Sequence, residues 1–205
     1  MGKRVFDIVF SFFGLIVLSP LLLLISIIIE LESRGGVFFI QKRVGRNNKD
    51  FKVIKFRTMK VHSEHKGLFT IGQKDPRVTR MGYFLRKYKI DEFPQLINVI
   101  KGDMSIVGPR PEVRKYVELY TPDQSLVLTL RPGITGLASL EYVHENKMLG
   151  ESDNPEETYL KEMMPRKLEL NLEYVKSANF RTDLKLILKT FRKVYLPLSY
   201  VKRMS

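Results

Sequence analysis

Val5 to Ile29 reads VFDIVFSFFGLIVLSPLLLLISIII, and this one run decides what kind of molecule the chain builds. Asp7 is its only charged residue. As a helix the run would extend roughly 37 Å, enough to cross the hydrocarbon core of a bilayer. A secretory signal peptide also begins with basic residues, here Lys3 and Arg4. The apolar stretch is too long for a signal core, however, and no small-x-small cleavage site follows it, so the segment is expected to stay on the protein. Ser19-Pro20 lies in the middle of the run. Proline removes a backbone donor and collides with the carbonyl four residues back, that of Ile16, so the helix is expected to break or kink there. The Ser19 hydroxyl is free to bond a released carbonyl.

The flanks bear on topology. Lys3 and Arg4 precede the run, and Arg34, Lys42, Arg43 and Arg46 follow it. Basic residues are retained on the cytoplasmic side, so positive flanks at both ends favour a re-entrant hairpin over an ordinary kinked transmembrane helix. In both cases residues 1–33 form the membrane segment, and residues 34–205 are too polar to span again and are expected in the cytoplasm.

The chain has 205 residues, which suits one domain with a real core rather than two. It has no cysteine, which excludes disulfides and thiolate zinc sites. His62 and His65 stand three apart but within the polar run KVHSEHKG, where they read as solvated surface residues rather than metal ligands. The net charge of +13 requires an anionic partner: nucleic acid, anionic lipid or a phosphorylated substrate. The basic residues are spread along the chain, with no zinc-finger spacing, no basic region followed by heptads and no tryptophan, so nucleic acid is set aside.

The rest predicts an α+β fold that is mostly helical. VFFIQKRVG (37–45) and DFKVIKFRTM (50–59), joined by the turn-like RNNKD, read as a short β-hairpin. Residues 60–80 read as a loop and 77–88 as a short helix. In DEFPQLINVIKGD, Phe93, Leu96, Ile97 and Ile100 make one apolar helical face, with Asp91 as N-cap, Pro94 in the first turn and Gly102 closing the helix. SIVGPRPEV and LRPGITGLASL read as loops, with a helix over 112–120 between them. A further helix is expected around 155–175. A basic amphipathic helix over 181–196 suits a core-facing position or an anionic membrane surface.

Asp91 and Glu92 are the candidates for chemistry. Read locally, they are a helix cap and a first-turn residue that complements the helix dipole. At a helix start, neighbouring carboxylates can converge on one site, with Asp91 ionised as a nucleophile or metal ligand. Cations surround them in sequence: Arg86, Arg110 in a Gly-Pro-Arg-Pro frame, and Lys55 and Arg57 on alternate positions of KFRTM, expected on one strand face. Guanidinium groups grip phosphate with two parallel hydrogen bonds, and carboxylates with a divalent ion and arginines describe phosphoryl transfer.

Taken in order, these motifs resemble the monotopic phosphoglycosyl transferases of bacterial surface polysaccharide and glycoprotein synthesis. The resemblance runs from the segment with Ser19-Pro20 through KFRTM (55–59), Asp91-Glu92, QLINVIKGDMSIVGPRPE (95–112) and RPGITG (131–136) to LEYV (172–175) and TDLKLILKT (182–190). It implies a re-entrant helix at the bacterial inner membrane carrying a cytoplasmic catalytic domain. It also implies transfer of a phospho-sugar from a UDP-sugar to undecaprenyl phosphate with release of UMP. By this resemblance Asp91 is the nucleophile of a covalent intermediate, Glu92 a Mg2+ ligand or a base, Asp91 and Glu92 together the metal site, and Arg86, Arg110, Lys55, Arg57 and Arg131 the phosphate-binding set. The chain departs from the family after RPGITGL, where ASLEYVHENKMLGESDNPEETY replaces an aromatic-Gln and Asn-Gly-Arg pattern, and at Asn171, where many members have Asp. The segment 138–165 is therefore expected either to read a different sugar or to be ordered differently. The several extra helices of longer relatives are not seen, so the minimal form is expected. Two other classes fit the charge: a membrane-tethered lipid- or nucleotide-binding scaffold without chemistry, and a nucleotide-sugar hydrolase.

Overall fold

A computed structural model of the chain describes residues 2–61 and 75–196. The surface reading of His62 and His65, and most of the loop expected over 60–80, lie outside the described residues.

Helix α1 (Gly2–Glu32) runs through Pro20 without interruption, where the sequence suggested a break. The reason lies in Ser19. Pro20 has no N–H to offer Ile16, and the Ser19 hydroxyl takes that carbonyl at 2.7 Å instead. Ser26 likewise bonds the carbonyl of Leu22. α1 is long and apolar enough to cross a membrane. Most of its large side chains, among them Phe12, Phe13, Ile16, Val17 and Leu23, are exposed.

One stripe of α1 is bound to the rest of the chain at both ends. Near its start, the Asp7 carboxylate accepts from the Ser105 hydroxyl (2.8 Å) and from Ile106 N–H, and Arg4 donates to the carbonyls of Val99 and Ile100. Lys3 pairs with Asp183, which also accepts from the Tyr174 hydroxyl. Near its end, Ile25 and Ile29 pack with Phe56 and Leu85, and the Glu32 carboxylate accepts from the backbone N–H groups of Arg80 and Met81.

The hairpin expected at 37–59 forms as β1 (Phe38–Val44) and β2 (Asp50–Phe56), antiparallel. α2 (Arg80–Lys87) is shorter than the expected 77–88 because Thr79 caps it, its hydroxyl accepting from Gly82 N–H. α3 (Gln95–Lys101) starts after Pro94 and ends at Gly102, in the left-handed region at φ 97° as expected of a closing glycine. Its buried face is Gln95, Leu96, Asn98 and Val99, rotated from the apolar set read from the sequence. Asn98 drives the rotation. Its side chain accepts from Ile54 N–H and donates to Lys52 O, so it joins α3 to β2 as a strand neighbour would.

The two segments read as loops each contain a strand. β3 (Ser105–Val107) and β4 (Gly133–Thr135) pair in parallel, with Ser105 opposite Gly133 and Val107 opposite Thr135. Strands this short leave no alternation to recognise. α4 (Arg114–Val117) is one turn where 112–120 was expected. After β4 come α5 (Leu137–Glu141) and α6 (Glu145–Gly150). The helix expected at 155–175 is α7 (Pro155–Thr158) and α8 (Met164–Ser177), joined by a π turn at Tyr159–Met163. Pro165, with no N–H to give, sits at the start of α8, where a widened turn removes the conflict. α9 (Phe180–Tyr195) buries Asp183 and Leu186 and leaves Leu184, Leu188 and Phe191 exposed.

Candidate active site

Asp91 and Glu92 sit on a 3₁₀ turn, Ile90–Glu92, one step ahead of α3. The expectation of Asp91 as the N-cap is corrected: Pro94 holds that position and offers no side-chain cap, its fixed φ of −60° already helical. The turn is entered through Lys89 at φ 56°, a left-handed conformation that a side chain rarely takes and that functional sites often contain. It brings both carboxylates under cover, Asp91 at 8% and Glu92 at 6% exposure.

The two acids have different surroundings. Arg110 grips Glu92 with both arms of its fork, Nη2 to Oε1 at 2.7 Å and Nη1 to Oε2 at 3.4 Å. Lys55 reaches the same Oε1 at 2.9 Å. Burial disfavours the Glu92 charge, but Arg110 and Lys55 outweigh it and hold its carboxyl well below the usual range. Asp91 goes the other way. Burial and the neighbouring Glu92 charge push its carboxyl up, against Lys55, Lys89 and Arg86. The sequence suggests an ionised Asp91; in the structure burial opposes that charge, and Glu92 is the acid the cations bond directly. Asp91 Oδ1 is buried with no hydrogen-bond partner among the described residues.

Arg110 owes its position to glycines. Its loop follows β3, and the loop bearing Gly133 and Gly136 is locked against it: Gly108 N–H donates to Thr135 O, and Gly133 N–H to Pro109 O. A Cβ on Gly133 would stand 2.1 Å from Gly108 N, and one on Gly136 would stand 2.3 Å from Gly108 O. The two Pro/Gly motifs are thus halves of one brace, which is what their shared richness in glycine encodes.

Arg86 donates to the Thr58 hydroxyl at 2.7 Å, and burial lowers its pKa. Lys55, Arg86, Asp91, Glu92 and Arg110 all line a cleft of about 790 Å³. Arg57 lines it too, but its guanidinium is taken up by the end of α1, donating to the carbonyls of Ser33 and Arg34. β2 stops at Phe56, so the alternation that would have aimed Arg57 beside Lys55 does not carry over. Arg131 is not among the cleft residues; its Nε donates to Gly102 O at the end of α3. Sequence reasoning missed Lys89, whose backbone conformation leaves no trace in residue type. It also missed Tyr195 at the end of α9, which lines the cleft and whose hydroxyl pKa is raised by burial and then by Asp91 and Glu92.

The result is a cleft in which four cations, Lys55, Arg86, Lys89 and Arg110, surround two carboxylates. That excess of positive charge suits a multiply charged anion, with one unpartnered carboxylate oxygen at its centre. The family model of the bacterial sugar transferases matches residues 1–197, and the chain belongs to that family.

Particular relatives are named for what they transfer. The chain is 38% identical over 195 residues to the UDP-N-acetylgalactosamine-undecaprenyl-phosphate N-acetylgalactosaminephosphotransferase of Aeromonas hydrophila, covering 94% of this chain and 43% of that one. It is 39% identical over 197 residues to the UDP-glucose:undecaprenyl-phosphate glucose-1-phosphate transferase of Escherichia coli K12, covering 95% and 40%. It is 35% identical over 211 residues to the exopolysaccharide production protein ExoY of Rhizobium meliloti, covering 96% and 86%. The chain therefore spans about two-fifths of the length of the first two relatives and most of the third.

Proposed function

We propose that the protein transfers a phospho-sugar from a UDP-sugar to undecaprenyl phosphate at the cytoplasmic face of the bacterial inner membrane. The observation that carries this reading is Asp91 Oδ1, buried and unpartnered beside a Glu92 held by Arg110 and Lys55. The carboxylate attacks the sugar-bearing phosphorus of the donor, and the bond from that phosphorus to the bridging oxygen breaks. The electron pair leaves with UMP, and the phospho-sugar is held as an acyl phosphate on Asp91. An oxygen of the lipid phosphate then attacks the same phosphorus and returns Asp91 as a carboxylate. Two steps let the nucleotide come from water and the acceptor from the bilayer. Arg110 and Arg86 neutralise charge on the phosphates, and Lys55 exchanges between Glu92 and the donor.

Mg2+ fits this site by donor chemistry. The Asp91 oxygen and its Glu92 neighbour are hard donors, and no cluster of three or more His, Cys, Asp or Glu side chains stands among the described residues, so phosphate and water oxygens would complete the shell. When bound there, the ion would offset the charge of the diphosphate. Glu92, gripped by two cations, acts as a charge anchor and metal neighbour more readily than as a base.

Placement of both ends of α1 on the same side of the membrane is supported by its attachments. Lys3, Arg4 and Asp7 at one end and Ile29 and Glu32 at the other are held by the same body, which argues against ends on opposite sides of a bilayer. Phe180, exposed at the start of α9, lies edge-on to Phe6 of α1 with ring centroids 5.2 Å apart.

The test is purified protein with UDP-sugar, undecaprenyl phosphate and Mg2+. UMP should form only with acceptor present beyond one equivalent, and Asp91→Asn should abolish it. Retained turnover in that variant refutes the nucleophile. Continued UMP without acceptor indicates a hydrolase, and unchanged donor indicates a scaffold.

A further inference from the structure

The cleft holds a second ionic group that the transfer chemistry leaves unused. Lys167 of α8 and Glu145 of α6 both line it, with Lys167 Nζ 2.9 Å from Glu145 Oε1 and 4.8 Å over the ring centre of Tyr159. The lysine is 8% exposed, a burial that an ammonium tolerates only with a partner and a π face. The glutamate side chain keeps 23% of its surface open, and no hydrogen bond reaches its Oε2 among the described residues. Arg110 lines the same cleft, so the pair shares it with the phosphate-handling residues.

An ammonium donates only, and a carboxylate accepts only. Held 2.9 Å apart at the cleft wall, they suit a ligand that offers a hydroxyl proton at one place and an oxygen lone pair at the next. A hexose ring has that alternation around its edge. A phosphate offers only lone pairs and is served by Arg110, while a uracil edge (O4, N3–H, O2) also alternates and is told apart from a hexose by the UMP arm of the test below.

We propose that Glu145 and Lys167, backed by Tyr159, form the subsite that reads the hydroxyl pattern of an uncharged donor hexose. This rests on the UDP-sugar reading above. Glu145 accepts from a ring hydroxyl or an acetamido N–H, and Lys167 donates to the neighbouring oxygen. Glu145 lies within the segment 138–165, and Lys167 lies just beyond it at the start of α8.

The test uses the full chain in detergent with undecaprenyl phosphate and four donors: UDP-glucose, UDP-galactose, UDP-N-acetylglucosamine and UDP-N-acetylgalactosamine. Glu145→Gln keeps the shape and removes the charge. The double variant Glu145→Gln/Lys167→Met avoids leaving an unpaired buried ammonium and serves if the single variant is unstable. A hydrogen bond to a charged group is worth about 1.5–3 kcal/mol, so the kcat/KM ratio between the best and next donor should fall by roughly tenfold or more. Inhibition by UMP, which carries no sugar, should stay within about twofold of wild type. A merely structural ion pair would lower every donor together and weaken UMP in step. Unchanged donor ratios in both variants, with the wild type active, overturn the subsite alone. A wild type that releases no UMP from any donor overturns the parent reading and this one with it.

Discussion

Glu92→Gln separates what the structure assigns to each carboxylate. The change keeps the side chain's volume and removes the charge that Arg110 grips at 2.7 and 3.4 Å and Lys55 at 2.9 Å. Breaking a buried ion pair from one side usually costs about 3–5 kcal/mol, because the remaining charge is stranded. Here Lys55 and Arg110 keep 23% and 30% of their side chains open to water. Water recovers part of the loss, so a cost of about 2–4 kcal/mol at pH 7 is expected, or a fall of about 10 °C in Tm for a chain of this size. The pH dependence follows from the sign of the shift. Glu92 titrates below its ordinary value near 4.5, so its stabilisation is present above that pH and is lost as pH falls towards the folded value. The gap in Tm between wild type and variant should therefore narrow steadily as pH drops below about 4.5.

The same substitution acts on Asp91, whose carboxyl is raised by burial and then by the Glu92 charge. Removing that charge lowers the Asp91 pKa. The acid limb of residual UMP release, which needs ionised Asp91, should move to lower pH even as the rate falls. Melting curves in detergent across a pH series, with UMP measured over the same series, check both halves. A Tm gap that stays constant with pH, or an acid limb that moves upward, would refute the division of roles.

Asp91→Asn should be inactive yet at least as thermostable as wild type at pH 7. A raised carboxyl contributes stability only below its unfolded pKa, near 3.8, and loses it as pH rises through the folded value, so the buried charge is a burden at neutrality. A loss above about 1 kcal/mol in a melting assay would contradict this. Gly133→Ala should disturb the Arg110 loop by forcing a Cβ to 2.1 Å from Gly108 N, costing about 3 kcal/mol and most of the activity; a variant with wild-type Tm and KM would refute the brace. Tags placed before Met1 and after Ser205 should both be protected from protease in right-side-out cells and cleaved in inverted membrane vesicles. A tag before Met1 that is cleaved from outside would refute the re-entrant placement.

Much of the fold was legible because its signals are local. The apolar run of α1, the hairpin around RNNKD, the closing glycine at 102 and the long C-terminal helices each depend on residues within a turn or two of one another. Arg110, Arg86 and Lys55, singled out in the sequence for their place around Asp91-Glu92, do line the cleft. Arg57 and Arg131 looked equivalent to them in sequence. They differ because the carbonyl ends of α1 and α3 claim them, and helix ends become partners only after distant segments pack.

By itself the sequence determined a long apolar helix with basic flanks, a mostly helical α+β domain, an excess of cations and a pair of adjacent acids. Tertiary structure alone decided which acid is which. Asp91 and Glu92 are chain neighbours of the same chemical kind, and no local rule distinguishes them. Folding sets Glu92 against Arg110 and Lys55 and leaves Asp91 Oδ1 buried without a partner. Ionisation depends on burial and on charges a few ångströms away, and those charges come from residues 37 positions before Glu92 and 18 after it.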